Sequence, residues 1–141
     1  MYLLDTNVIS ELRKIRLGKA DTQVARWADS VAVSDLYLSA ISVQELETGV
    51  LLIERRDGAQ GAILRGWLEN QGLPAFAGRI LPVDTAVARR SAALHVPDPH
   101  PARDALITAT GLVHSMTIVT RNIMDFSYAG VRLINPWEAS S

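Results

Sequence analysis

The sequence predicts an α/β fold, a parallel β-sheet flanked by α-helices. Three observations carry that expectation. Short apolar runs alternate with helical periodicities along the whole chain. Aspartates stand where the helices should begin. The strand candidates are continuous apolar runs, as expected of strands covered on both faces.

The elements follow in order. Tyr2-Leu3-Leu4 is the first strand, and Asp5-Thr6-Asn7 opens a helix from about Asn7 to Ile15 with Val8, Ile9 and Leu12 inward. Asp21 caps a second helix whose apolar face is Val24, Trp27, Ala28 and Val31. Leu36–Ala40 is a buried strand, and Ser42 starts a helix carrying Val43, Leu46, Val50, Leu51 and Ile53. Asp57 caps another helix, with Ile63, Leu64, Trp67 and Leu68 inward, and Gly72, Pro74 and Gly78 mark a loop. Ile80–Val83 is a short strand that Pro82 confines to an edge or an end. Asp84 caps a helix through Val87, Ala88, Ser91 and Leu94. Pro97, Pro99 and Pro101 impose an extended connection. A helix over Ala102–His114, a strand over Thr117–Thr120 and a last strand over Val131–Ile134 complete the series. No repeat or long linker divides the 141 residues, so one domain over 1–141 is expected.

Composition narrows the function classes. The chain is 48% hydrophobic and 21% charged, which suits a filled core rather than disorder. It has no cysteine, which excludes disulfides, thiolate zinc sites and cysteine nucleophiles. No run reaches the ~20 apolar residues of a membrane helix, and the start has no signal-peptide pattern, so a soluble, cytoplasmic protein is expected. The net charge of −1 means that any phosphate binding rests on local patches. The densest basic stretch contains Arg13, Lys14, Arg16 and Lys19. It reads either as a solvated helix end or as a contact for nucleic-acid phosphates.

Four acids carry the chemistry. Asp5 lies just past the first strand, Glu45 in the first turn of the helix after the second, and Asp125 shortly past the Thr117–Thr120 strand. Asp104 starts a helix that runs back toward a strand, which brings it to the same edge of a parallel sheet. Each like-charged pair at ~4 Å costs roughly 4 kcal/mol at an effective dielectric of about 20. Such a cluster calls for a divalent cation, and the residues point to a Mg²⁺- or Mn²⁺-dependent nuclease. Each acid also has a plainer role open to it. Asp5 and Asp104 suit helix starts, Asp125 suits a turn, and Ser42-Val43-Gln44-Glu45 has the form of a capping box.

Four ordered motifs resemble those of PIN-domain proteins. They are Leu4-Asp5-Thr6-Asn7-Val8-Ile9-Ser10-Glu11-Leu12, Ser42-Val43-Gln44-Glu45-Leu46-Glu47-Thr48-Gly49, Asp104-Ala105-Leu106-Ile107-Thr108-Ala109-Thr110, and Val119-Thr120-Arg121-Asn122-Ile123-Met124-Asp125-Phe126. The ending Ile134-Asn135-Pro136-Trp137 is similar too, and the likeness is nearest to VapC-type toxins of bacterial toxin–antitoxin modules, including the FitB kind. The resemblance implies a PIN-like sheet, metal-dependent RNA cleavage, and Asp5, Glu45, Asp104 and Asp125 as the acidic, metal-holding site. It also implies a cognate antitoxin, and a toxin homodimer or toxin–antitoxin hetero-oligomer. Thr6, Asn7 and Asn122 are expected to orient the acids, with Asn122 and Asp125 competing for the fourth position. Thr108 and Thr110 stand where many relatives have alanine.

Other readings compete. A regulatory module acting mainly within a toxin–antitoxin DNA complex fits the same resemblance. A receiver-like phospho-acceptor needs a lysine beside a late strand, and the only lysines are Lys14 and Lys19. A flap-type DNA nuclease has little room here for added DNA-binding elements. His95, His100 and His114 lack the spacing of a helical zinc pair. The mean hydropathy of +0.13 is high for a small monomer and suggests apolar faces kept for partners.

Overall fold

The computed structural model describes residues 1–138. Five strands, β1 (Tyr2–Leu4), β2 (Leu36–Ser39), β3 (Ile80–Leu81), β4 (Thr117–Val119) and β5 (Leu133–Ile134), form one sheet in the order β3-β2-β1-β4-β5. Every neighbouring pair is parallel, with Leu3 opposite both Tyr37 and Ile118. The helices are α1 (Thr6–Arg13), α2 (Thr22–Ser30), α3 (Ala40–Arg56), α4 (Gly58–Trp67), α5 (Thr85–Leu94) and α6 (Ala102–Val113). From β1 the chain winds outward through β2 to β3, then crosses back to lay β4 on the other side of β1. The winding therefore reverses between β1 and β4, and open parallel sheets bind ligands beyond the strand ends at such a point.

Alternation along the strands makes two cores. Leu4, Leu36, Leu38 and Val119 face one side and meet Val8 and Ile9 of α1, Leu46 and Val50 of α3, and Leu68 and Phe76. Leu3 and Ile118 face the other side and meet Ile107 of α6, Met116 and Phe126. With both faces covered, the central strands have no polar position to spare, which explains their unbroken apolar sequence.

Three predicted caps hold. Asp21 accepts hydrogen bonds from the Gln23 and Val24 amides, Asp57 from Gln60 and Asp84 from Val87. One start moves. Ser39, not Ser42, caps α3 and accepts from the Ile41 amide at 3.0 Å. Leu38 and Ser39 are the last β2 residues paired with β3, so the backbone is free to turn at once, and Ser42 is drawn into the buried first turn. Ile63, expected inward, is 60% exposed, because Leu64, Trp67 and Leu68 already cover the sheet. The Gly72–Gly78 stretch is not a plain loop. A π-helical turn (Leu68–Gly72) and a 3-10 turn (Pro74–Phe76) bury Leu68 and Phe76.

α3 and α4 pack closely. Arg65 of α4 pairs with Glu47 and Glu54 of α3 and with Glu69. Gly61 sits so close to α3 that a Cβ there would lie 2.5 Å from the Glu54 Cα, whereas one at Gly66 meets nothing within 4 Å. Gly61→Ala should therefore destabilise the protein by ~1–3 kcal/mol, as overpacking against backbone does. Gly66→Ala should stabilise it by up to ~1 kcal/mol through helix propensity. Urea denaturation of the two variants checks both signs, and equal effects would refute the proposed close packing.

Candidate active site

Asp5 ends β1 and begins α1. Its amide makes a ladder bond to the Val119 carbonyl (2.9 Å), and its carbonyl starts the helix by accepting from Val8 and Ile9. Its Oδ1 accepts from the Thr6 amide at 2.8 Å. Its Oδ2 accepts from Thr120 Oγ1 at 2.8 Å and from Asn7 Nδ2 at 3.4 Å. The residue is only 8% exposed. Burial pushes its pKa upward, the Thr120 and Thr6 hydrogen bonds oppose that, and the Asp125 charge adds to the rise.

Glu45 lies in the second turn of α3, a turn deeper than expected. Because the cap is Ser39, a capping box from Ser42 to Glu45 does not form. Glu45 is turned toward Asp5's neighbour instead. Thr6 Oγ1 donates to Glu45 Oε1 at 3.0 Å, and Arg103 Nη1 lies 3.8 Å from Glu45 Oε2.

Asp104 occupies the first turn of α6, and Asp125 closes an exposed 3-10 turn (Ile123–Asp125). The Asp104 pKa is raised, first by burial and then by the charges of Asp125, Asp5 and Glu45, with Arg103 opposing. One carboxyl thus feels the other three. The four acids come from separate parts of the chain, and Asp104 lies within electrostatic reach of the other three, as Asp5 does of Asp125. Among the described residues, no three acidic or imidazole groups are gathered tightly enough to enclose an ion by themselves. The mutual pKa effects and this open spacing describe one arrangement, a loose all-oxygen rim. Such a rim fits a hard cation that keeps several waters and shares its remaining positions with phosphate, as Mg²⁺ does.

The residues expected to orient the acids are placed as follows. Thr6 and Asn7 both contact Asp5, and Asn7 Oδ1 also accepts from the Arg121 amide at 3.4 Å. Asn122 acts through its backbone, donating to Thr120 Oγ1 at 3.0 Å. Thr120 was read only as the end of a strand, yet it is fully buried and joins Asn122 to Asp5. Its position just beyond β4, at the rim where strands end, is the signal that could have found it. Arg103, adjacent to Asp104, was likewise not singled out. The extra Thr108 and Thr110 hydroxyls donate to carbonyls one turn back in α6, at 2.7 and 2.8 Å. Burial raises the Tyr128 pKa, and the Asp104 charge adds to the rise.

The basic stretch divides. Arg13 and Lys14 line a groove of about 450 Å³ together with Thr6 and Glu45, and Lys14 pairs with Glu11 at 3.1 Å. Arg16 and Lys19 lie exposed beyond α1. Among the described residues the histidines join no group of three that could hold a metal. His95 Nδ1 accepts from the His100 amide, and His100 stacks on Tyr128 with centroids 3.6 Å apart.

The chain is similar to known proteins in sequence and fold. The PIN domain family model matches residues 2–130. The chain is 44% identical over 142 residues to Toxin FitB of Neisseria gonorrhoeae, covering 97% of this chain and 99% of that protein. It is 39% identical over 143 residues to VapC ribonuclease Y4jK of Sinorhizobium fredii, covering 98% and 99%. The solved structure of FitAB bound to an IR36 DNA fragment superposes with a TM-score of 0.87 at 40% identity, covering 100% of this chain and 99% of the matched one.

The raised pKa values of Asp5 and Asp104 fix the sign of a stability effect. Folding favours their protonated forms, so their contribution is present in acid and is lost as pH rises through the raised values. At pH ~7, about three units above an ordinary aspartate pKa, the metal-free fold therefore carries the uncompensated cost of burying these charges, with mutual repulsion added to it. Asp104→Asn should raise the thermal midpoint in chelator at that pH. The gain should shrink as the pH falls toward ~4. Melting curves across this range check the sign, and a less stable Asn variant at neutral pH would contradict it.

Proposed function

The chain belongs to the PIN domain family, and on that basis we propose that it is the toxin of a type II toxin–antitoxin module, a metal-dependent ribonuclease. The observation that carries the proposal is the corner where Thr6 joins Asp5 to Glu45 and Thr120 fixes Asp5, with Asp104 close enough to feel both of these acids and Asp125. The named likenesses to a toxin and to a VapC ribonuclease support the same conclusion. One sheet and a family match over 2–130 support treating residues 1–141 as a single PIN domain.

Asp5, Glu45, Asp104 and Asp125 would hold Mg²⁺ or Mn²⁺, which supplies charge neutralisation at phosphorus and a more acidic water. The protein's own groups do the positioning. Thr120, Thr6 and Asn7 fix both Asp5 oxygens, so this carboxylate meets the substrate in one orientation. Thr6 ties Glu45 to the same corner, coupling the starts of α1 and α3. Asp104, whose pKa is raised by burial and by the other three acids, would be relieved by a bound cation. Water adds to phosphorus, and the bond to the 3′ oxygen breaks to leave a 3′-hydroxyl and a 5′-phosphate.

Arg13, Lys14, Arg16 and Lys19 are proposed to hold flanking phosphates. The eight residues of α1 span ~12 Å, so these cations sit a few nucleotides from Asp5. With a net charge of −1, capture of long RNA is weak, which favours a restricted substrate such as a folded RNA with an unstacked loop. The partner is a cognate antitoxin, and the assembly is a toxin homodimer or a toxin–antitoxin hetero-oligomer. The relative solved with DNA also supports a second role within a DNA-bound regulatory complex. The proposed setting is the cytoplasm, and no helix among the described residues is long and apolar enough to cross a membrane.

Total cellular RNA should be cut in Mg²⁺ or Mn²⁺ and left intact in excess chelator; full activity in chelator would refute the mechanism. Glu45→Gln should lower cleavage at limiting metal by at least ~10–100-fold, the range seen for groups merely supporting a ligand. Cleavage at the wild-type rate would leave Glu45 outside the metal site. Co-expression with the antitoxin encoded beside the gene should yield a stable complex with suppressed RNase activity. A monomer that ignores that gene product would refute the toxin assignment.

A further inference from the structure

Arg103 occupies an electrostatically unfavourable place. It lies in the first turn of α6, where the helix dipole repels cations. No side chain caps this helix, so the position is not explained by capping. What Arg103 meets is Glu45, with Nη1 3.8 Å from Oε2. Among the described residues this is the one ion pair made to any of the four rim acids. The Arg103 side chain is 63% exposed and that of Glu45 26%, so the pair is open to solvent. The contact is long, and no other hydrogen bond or ion pair among the described residues engages the guanidinium. At 3.8 Å the contact is an ion pair without a hydrogen bond, so all five N–H donors of the guanidinium are left for another partner.

We propose that Arg103 is the phosphate-positioning residue of this site, resting on Glu45 until a cation claims that carboxylate and then binding a non-bridging oxygen of the RNA phosphodiester. The proposal rests on the ribonuclease reading above. Arginine suits the task because its planar fork grips phosphate in two places, which lysine cannot do. Its guanidinium also opposes the rise in the Asp104 pKa, which places its charge within reach of a second acid. Two consequences of opposite sign follow. Before substrate arrives, Arg103 competes with the cation for Glu45 and repels it. Once substrate arrives, Arg103 attracts it. A residue that only supported α6 would move both affinities together or neither.

The test uses full-length wild type, Arg103→Gln and Arg103→Lys. Isothermal titration of the metal-free proteins with MnCl₂ should show Arg103→Gln binding Mn²⁺ ~2–5-fold more tightly, the scale of one exposed charge pair. Arg103→Lys, which keeps the charge, should bind Mn²⁺ like wild type. In saturating Mn²⁺, the apparent KM for fluorescently labelled total RNA should rise ~10-fold in Arg103→Gln, as loss of a charge-assisted phosphate contact predicts. Its kcat should change little, and lysine should restore part of the KM. Unchanged or weaker Mn²⁺ binding by Arg103→Gln, or an unchanged KM, overturns the assignment while leaving the ribonuclease reading intact. A wild-type protein that binds Mn²⁺ but cuts no RNA overturns both.

Discussion

The Asp5 carboxylate is gripped by donors from three directions, and the rest of the rim is arranged around that grip. The Thr6 amide belongs to α1, Thr120 follows β4, and Asn7 links back to the Arg121 amide. Asp5 thereby joins the two central strands at the point where the winding of the sheet reverses. A buried carboxylate without such partners would be expelled or protonated. With them it stays in place, and Asp104, Glu45 and Asp125 can be brought near from the flanking elements. Each hydrogen bond is modest alone. Together they let the fold accept like charges that it gains nothing by approaching.

The α3–α4 pair shows how the same chain treats acids it does not keep open. Glu47, Glu54 and Glu69 surround Arg65, whose hydrogen bonds to Glu54 and Glu47 raise its pKa, while those from Arg65 lower that of Glu54. Each of those carboxylates reaches the same guanidinium, and the cluster serves to join two helices. The rim has no such centre. Four acids face a single loosely held arginine, and the shortfall in positive charge is left for a cation and a substrate to settle. Function here follows from carboxylates that share no cation within the fold, close in sequence to three that do.

Much of this was legible in the sequence because local chemistry agreed with tertiary need. Asp21, Asp57 and Asp84 cap the helices they precede, and the strand runs alternate between two cores as parallel strands must. The acids were legible as well, since each stands at a junction between elements. The capping box misled because Ser39 and Ser42 are both competent caps, and only the end of β2 pairing with β3 decides between them. Ile63 misled because helical periodicity does not reveal when neighbouring side chains have already filled the surface. Thr120 and Arg103 act on residues 115 and 58 positions away, and no local pattern in the sequence encodes such contacts.

Both rims of the sheet are minimal. β3 and β5 have two residues each, and Pro82, without an amide proton, follows β3 directly. An incoming chain finds almost no backbone to pair with, so neither a second copy nor an extended peptide can lengthen this sheet to advantage. Assembly is directed to side-chain packing, and Leu51, Leu52 and Ile63 supply exposed apolar surface on α3 and α4. Packing of that kind depends on shape and is readily dissolved when one partner is degraded. Backbone pairing would recognise any strand, and once a fibre had nucleated it would not easily let go.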